Sequence, residues 1–205
     1  GLDKGGTMSL KKSRVNTLAK IAILSALAYI IMFFEVPLWF APSFYKIDFS
    51  EIIVLIGAFS LGPAAGVIIE ALKILLNLLF TGTQTAFVGE IANFLIGIAF
   101  VLPASLIYKH HKSKHNALIG MLWGTLCMTI VGALMNYYIL LPAYSYFFKM
   151  PIDALIAMGT AVNPLILNKW SLVLLATVPF NLLKAGIDSL VVMLIYKKVS
   201  PLLHR

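Results

Sequence analysis

The chain has 205 residues, of which 60% are hydrophobic and 12% charged, and its mean hydropathy is +0.95. A soluble globule carries about 25% charged residues, so this composition excludes one and predicts a one-domain integral membrane protein. The net charge of +8 does not signal nucleic-acid binding, because the basic residues gather at the ends of apolar runs.

Residues 1–7, GLDKGGT, read as leader or appended residues ahead of Met8, which leaves 8–205 as a single six-helix transmembrane domain. A crossing helix needs about 20 apolar residues, and six runs are predicted as spans: 17–34, 49–61, 63–80, 87–108, 117–147 and 170–196. The first continues into further runs without a small-residue cleavage site, so it reads as a retained helix. Within it Ala22 and Ala26 stand four apart, with Ala19 on the neighbouring ridge. Such small-residue spacing lets another helix approach closely.

The connection 35–48, EVPLWFAPSFYKID, holds two prolines with Trp39, Phe40, Phe44 and Tyr45. It reads either as an interfacial aromatic belt or as a lid over a pocket. The second run is short and abuts the third through Leu61-Gly62-Pro63, where glycine closes a helix and proline opens one. In the third run Glu70, Lys73 and Asn77 share a face, and Glu70 and Lys73 read as a helix-internal pair in the cytoplasmic half. The fourth offers Glu90 and Asn93 near its outer start, after the tight connection TGTQTAF. The fifth offers Asn136, Tyr137 and Tyr138 and is long enough to tilt or to break near Pro142.

The last run contains PFNLLKAGID, where Asn181, Lys184 and Asp188 fall at i, i+3 and i+7 on one helix face. A lysine or aspartate at a helix centre costs roughly 2.5–3.5 kcal/mol to insert, so a functional site is the default reading. Pairing Lys184 with Asp188 reduces that cost. The bland alternative is a structural ion pair with an interhelical amide hydrogen bond. Asp188, nearer the cytoplasmic end, leans structural.

Leaving Lys4 aside, ten Lys and Arg fall on the side of the termini against three in the opposite connections. Both termini are therefore expected in the cytoplasm. His110, His111 and His115 lie in the basic connection KHHKSKH, read as solvated rather than metal-binding. The single Cys127 excludes a disulfide framework. No phosphate loop, zinc-helix motif or nucleophile elbow is present, so the chain is not expected to be an enzyme, to carry a cofactor or to hydrolyse ATP.

The layout of six spans, the Ala22-x-x-x-Ala26 face, the aromatic first connection and above all PFNLLKAGID resemble the substrate-binding S components of energy-coupling factor (ECF) vitamin transporters, specifically the riboflavin-specific kind. The resemblance covers nearly the whole chain from about Leu10. It implies an all-α, six-helix subunit of the bacterial cell membrane that captures riboflavin from outside. Transport then requires a transmembrane coupling protein and two ATPase subunits, docked through Ala19, Ala22 and Ala26. By resemblance Asn181 and Lys184 are ligand-binding residues, and Asn136 is a looser match. Asp188 and the loop residues Leu38, Phe44 and Tyr45 complete the candidate pocket. A self-sufficient ion-coupled transporter, with Glu70, Lys73, Lys184 and Asp188 as couplers, is the competing reading.

Overall fold

The computed structural model describes residues 4–203. Helix α1, Lys4–Met32, leads into a two-stranded antiparallel ribbon, β1 (Val36–Pro37) with β2 (Lys46–Ile47). Then follow α2 (Ser50–Leu61), α3 (Pro63–Thr81), α4 (Val88–His110) and α5 (Lys114–Met135). A π-helical segment, Asn136–Leu140, joins α5 to α6 (Leu141–Phe147). Helices α7 (Ile152–Val162) and α8 (Lys169–Leu172) precede a second π segment, Val173–Thr177, which runs into α9 (Val178–Leu203).

Among the described residues five continuous helical stretches are long and apolar enough to cross a membrane: Gly6–Met32, Pro63–Thr81, Val88–His110, Lys114–Phe147 and Lys169–Pro201. The architecture is thus an all-α membrane bundle. Helix α2 has 12 residues, about 18 Å at 1.5 Å per residue, and is too short to cross by itself. The first connection is partly regular, because Val36 pairs with Ile47 and Pro37 with Lys46. The connection 149–169 carries helix α7, whose Leu155 is buried.

Local chemistry explains the breaks. Gly62 adopts φ 102°, a left-handed value open to glycine, and Pro63 starts α3. Each π segment lies just before a proline, Pro142 and Pro179. Proline lacks an N–H and its ring crowds the carbonyl four residues earlier, here Tyr138 and Leu175, both inside the π segments. Widening one turn absorbs that clash without ending the helix.

Helices α4 and α5 approach almost backbone to backbone. A methyl added at Gly120 would fall 2.5 Å from the Ala104 carbonyl, and one at Gly124 would meet the Phe100 carbonyl. This is small-residue packing, the device that joins helices where lipid offers no hydrophobic drive. The end of the bundle near the termini is tied by a 3.1 Å contact between the Tyr108 and Tyr196 hydroxyls. At the opposite end Tyr45, Ile47, Leu155, Ile166 and Phe180 form a second apolar cluster around the ribbon. On α1, Ile21, Ser25 and Ala28 face the core, while Ala19, Ala22 and Ala26 lie on the exposed side.

Candidate functional site

The ribbon positions Tyr45 over the two π segments. Its hydroxyl lies 3.0 Å from Asn136 Oδ1 and 2.6 Å from Thr177 Oγ1. A phenol has one proton to give; with that proton directed at the Asn136 carbonyl oxygen, Thr177 is the donor to Tyr45. Burial pushes the Tyr45 phenol above its ordinary range, so the proton stays on it. Asn136 in turn donates to the Gly132 carbonyl at 2.8 Å. The Asn181 amide lies so close to Gly132 that an added methyl would collide with its Nδ2. Glycine at 132 is what lets α9 present this amide to α5.

Aromatic walls surround these groups. The Tyr45 ring lies 4.7 Å from Phe44 and 5.3 Å from Phe180 between centroids, and Phe44 also meets Tyr144 at 5.8 Å. Leu38 packs partly buried in the same cluster. Tyr137 and Trp170 stack at 4.0 Å, with the Lys169 ammonium over the Tyr137 ring. These contacts join the fifth and last spans at the ribbon end.

Below this layer lies a charged one. The Lys73 ammonium contacts Glu51 Oε1 and Glu70 Oε1, each at 2.8 Å, and donates to Ser50 Oγ at 3.0 Å. The expected Glu70–Lys73 pair forms, but its expected isolation from the ribbon end does not. Lys73 and Glu51 are each eleven residues from Gly62, so the antiparallel helices α2 and α3 bring them to one depth, just beneath the connection. Asp48 accepts from the Ser50 backbone N–H at 2.8 Å. Burial works to raise its carboxyl, but Lys184, Lys73 and the Ser50 contacts outweigh that and hold it below the usual carboxylate range.

Asn181 is buried and Lys184 half-buried, while Asp188 is completely enclosed. The expected Lys184–Asp188 ion pair does not form. Among the described residues no contact within 4.0 Å joins them, and both Asp188 oxygens lack a hydrogen-bond donor. Lys184 lies within electrostatic reach of Asp188, Asp48 and Glu51 alike. Glu90 and Asn93 also stay out of this assembly. Glu90 accepts from Thr83 at 2.9 Å and Thr85 at 3.4 Å, closing the 82–87 turn, and Asn93 is exposed.

Sequence reasoning missed Thr177, Asp48, Ser50 and Glu51. Each had a signal: Thr177 sits two residues before Pro179, and Asp48, Ser50 and Glu51 open an otherwise apolar helix. Together the layer offers amide, hydroxyl and ammonium donors beside aromatic faces. It suits a flat molecule with ring carbonyls and hydroxyls. Among the described residues no cluster of three or more His, Cys, Asp or Glu could hold a metal ion.

The family model for the ECF transporter, substrate-specific component, matches residues 16–196. The riboflavin transporter FmnP of Bacillus subtilis is 33% identical over 92% of this chain and 94% of its own length. The riboflavin transporter RibU of Staphylococcus aureus is 34% identical over 98% of both. A solved structure described as the S component of a bacterial ECF transporter superimposes with a TM-score of 0.70 at 32% identity, covering 94% of this chain and 99% of that one. These relatives are transport proteins and not enzymes. The matched segment contains both layers of the site and the exposed alanine face, and the chain belongs to the substrate-specific components of ECF transporters.

Proposed function

We propose that this chain is the riboflavin-binding subunit of an ECF-type ABC transporter in the bacterial plasma membrane. It captures the vitamin from outside at the ribbon end and delivers it with a transmembrane coupling protein and two ATPase subunits. The observation that carries this reading is the buried polar layer of Asn136, Thr177 and Asn181 beneath Tyr45. Its likeness to proteins named riboflavin transporters selects the ligand.

Riboflavin joins a flat, largely apolar ring system to a polyhydroxylated chain. Phe44, Tyr45 and Leu38 supply walls for the ring, while Asn136, Asn181 and Lys184 donate to its carbonyls and hydroxyls. A site built this way rejects analogues lacking those groups, because its own polar atoms would be left unpaired. Asp188 acts behind Lys184 rather than on the ligand, since it is fully enclosed.

The test is the absorption spectrum of the detergent-purified protein, followed by calorimetric titration with riboflavin in the absence of ATP and partners. Flavin bands and saturable binding are expected. A folded preparation that binds no riboflavin overturns the reading.

A further inference from the structure

Among the described residues the buried charged side chains are Glu51, Glu70, Lys73 and Asp188, each at most 4% exposed. The half-buried Asp48 and Lys184 lie within electrostatic reach of Asp188. Fully ionised, this set would hold four carboxylates and two ammonium groups, two negative charges in excess. The other packed elements add no buried charge. Helix α4 meets Glu70 with Gly97, where an added methyl would fall 2.7 Å from Oε1. Ser25 of α1 donates its hydroxyl to its own helix at Ile21.

Uncompensated carboxylates are strongly disfavoured in so dry a place. Glu51 and Glu70 bind the same Lys73 nitrogen, and their carboxyl groups lie within hydrogen-bonding reach of each other. Their remaining oxygens, Glu51 Oε2 and Glu70 Oε2, have no donor. Two anions repel in that arrangement, whereas a single proton turns the contact into a hydrogen bond. Asp188 stands alone, completely buried with both oxygens lacking a donor.

We infer that Glu51, Glu70, Lys73 and Asp188 form a proton-binding site inside the bundle that holds two protons at neutral pH, one shared by Glu51 and Glu70 and one on Asp188. The protons come from water and form only O–H bonds. They cancel the two excess charges and leave the cluster neutral as a whole. The site is independent of the riboflavin reading, because it is defined without a ligand.

Infrared spectroscopy of the full chain in detergent at neutral pH tests this, on wild type, Glu70→Gln and Asp188→Asn. The wild type should show the carbonyl stretch of protonated carboxylic acids, shifted in heavy water. Each variant should lose part of that band while melting within a few degrees of wild type, since an amide replaces a neutral carboxyl group of the same shape. A wild-type spectrum without the band, or a band untouched in both variants, overturns the site. Should a variant fail to fold, titration of the wild type decides. A band persisting through neutral pH supports the site, and one lost on the acid side, as for solvated carboxylates, overturns it.

Discussion

Lys184 shows how tertiary packing alters an expectation drawn from helical spacing. Its place on the polar face of the last span is legible from spacing, but its partner is not Asp188 four residues on. No contact ion pair joins the two, and Asp48 and Glu51, on the connection and on α2, share its electrostatic reach. Lys184→Met therefore removes a donor without leaving a broken contact ion pair behind. Loss of a hydrogen bond from a charged donor costs about 1.5–3 kcal/mol, so riboflavin affinity should fall roughly ten- to a hundred-fold. Titration calorimetry on a variant with an unchanged melting curve measures this, and unchanged affinity would return Lys184 to a structural role.

Asp48 supplies a second test at this scale. Its carboxyl is held below the ordinary range in the folded chain, so it stabilises the fold above the unfolded pKa of about 3.9. That contribution is lost as pH falls through the lower, folded value. Asp48→Asn keeps an oxygen for the Ser50 N–H and removes the charge. The variant should melt below wild type at neutral pH, with the difference closing in acid. A difference that does not change with pH would show that the charge is irrelevant.

At the scale of elements, the ribbon is anchored by side chains rather than by its own backbone. Two residue pairs make a short ladder, and the Lys46–Glu35 pair at 3.9 Å is exposed and therefore weak. The contacts of Tyr45 with Asn136 and Thr177 hold it to the bundle. If the ribbon is the lid of the pocket, riboflavin should slow its opening. Cysteines placed at the exposed Trp39 and Ser43 should react more slowly with a polar thiol reagent when riboflavin is present. Equal rates would leave the connection as an interfacial belt.

At the scale of the whole molecule, the proposed binding groups and the proposed docking face lie on different surfaces. Ala19, Ala22 and Ala26 face away from the core, while the proposed ligand groups lie on the ribbon connection and the last two spans. Ala22→Trp with Ala26→Trp should block close approach of a partner helix and leave riboflavin affinity unchanged, because distant sites without shared contacts act nearly independently. Uptake in cells supplying the coupling protein and ATPases should be lost. Normal uptake by the double variant would discard the alanine face as the dock. Uptake by vesicles lacking any ATPase would favour the self-sufficient transporter.

The sequence by itself determined that this is a helical membrane protein, where its long spans run, which stretch of the last span is polar, and which helix carries a smooth alanine face. These are local properties: hydropathy over about 20 residues and side chains at helical spacing depend only on neighbours along the chain. Only the tertiary structure decided which polar groups meet. The Gly62 turn sets the depth at which Glu51 faces Lys73, the π segments before Pro142 and Pro179 aim Asn136 and Thr177 at Tyr45, and Gly132 admits the Asn181 amide. Such meetings depend on helix depth, rotation and closest approach, which are settled by packing between segments far apart in the chain. For the same reason the enclosure of Asp188 without a donor is invisible in PFNLLKAGID, where Lys184 stands one helical turn away as its obvious partner.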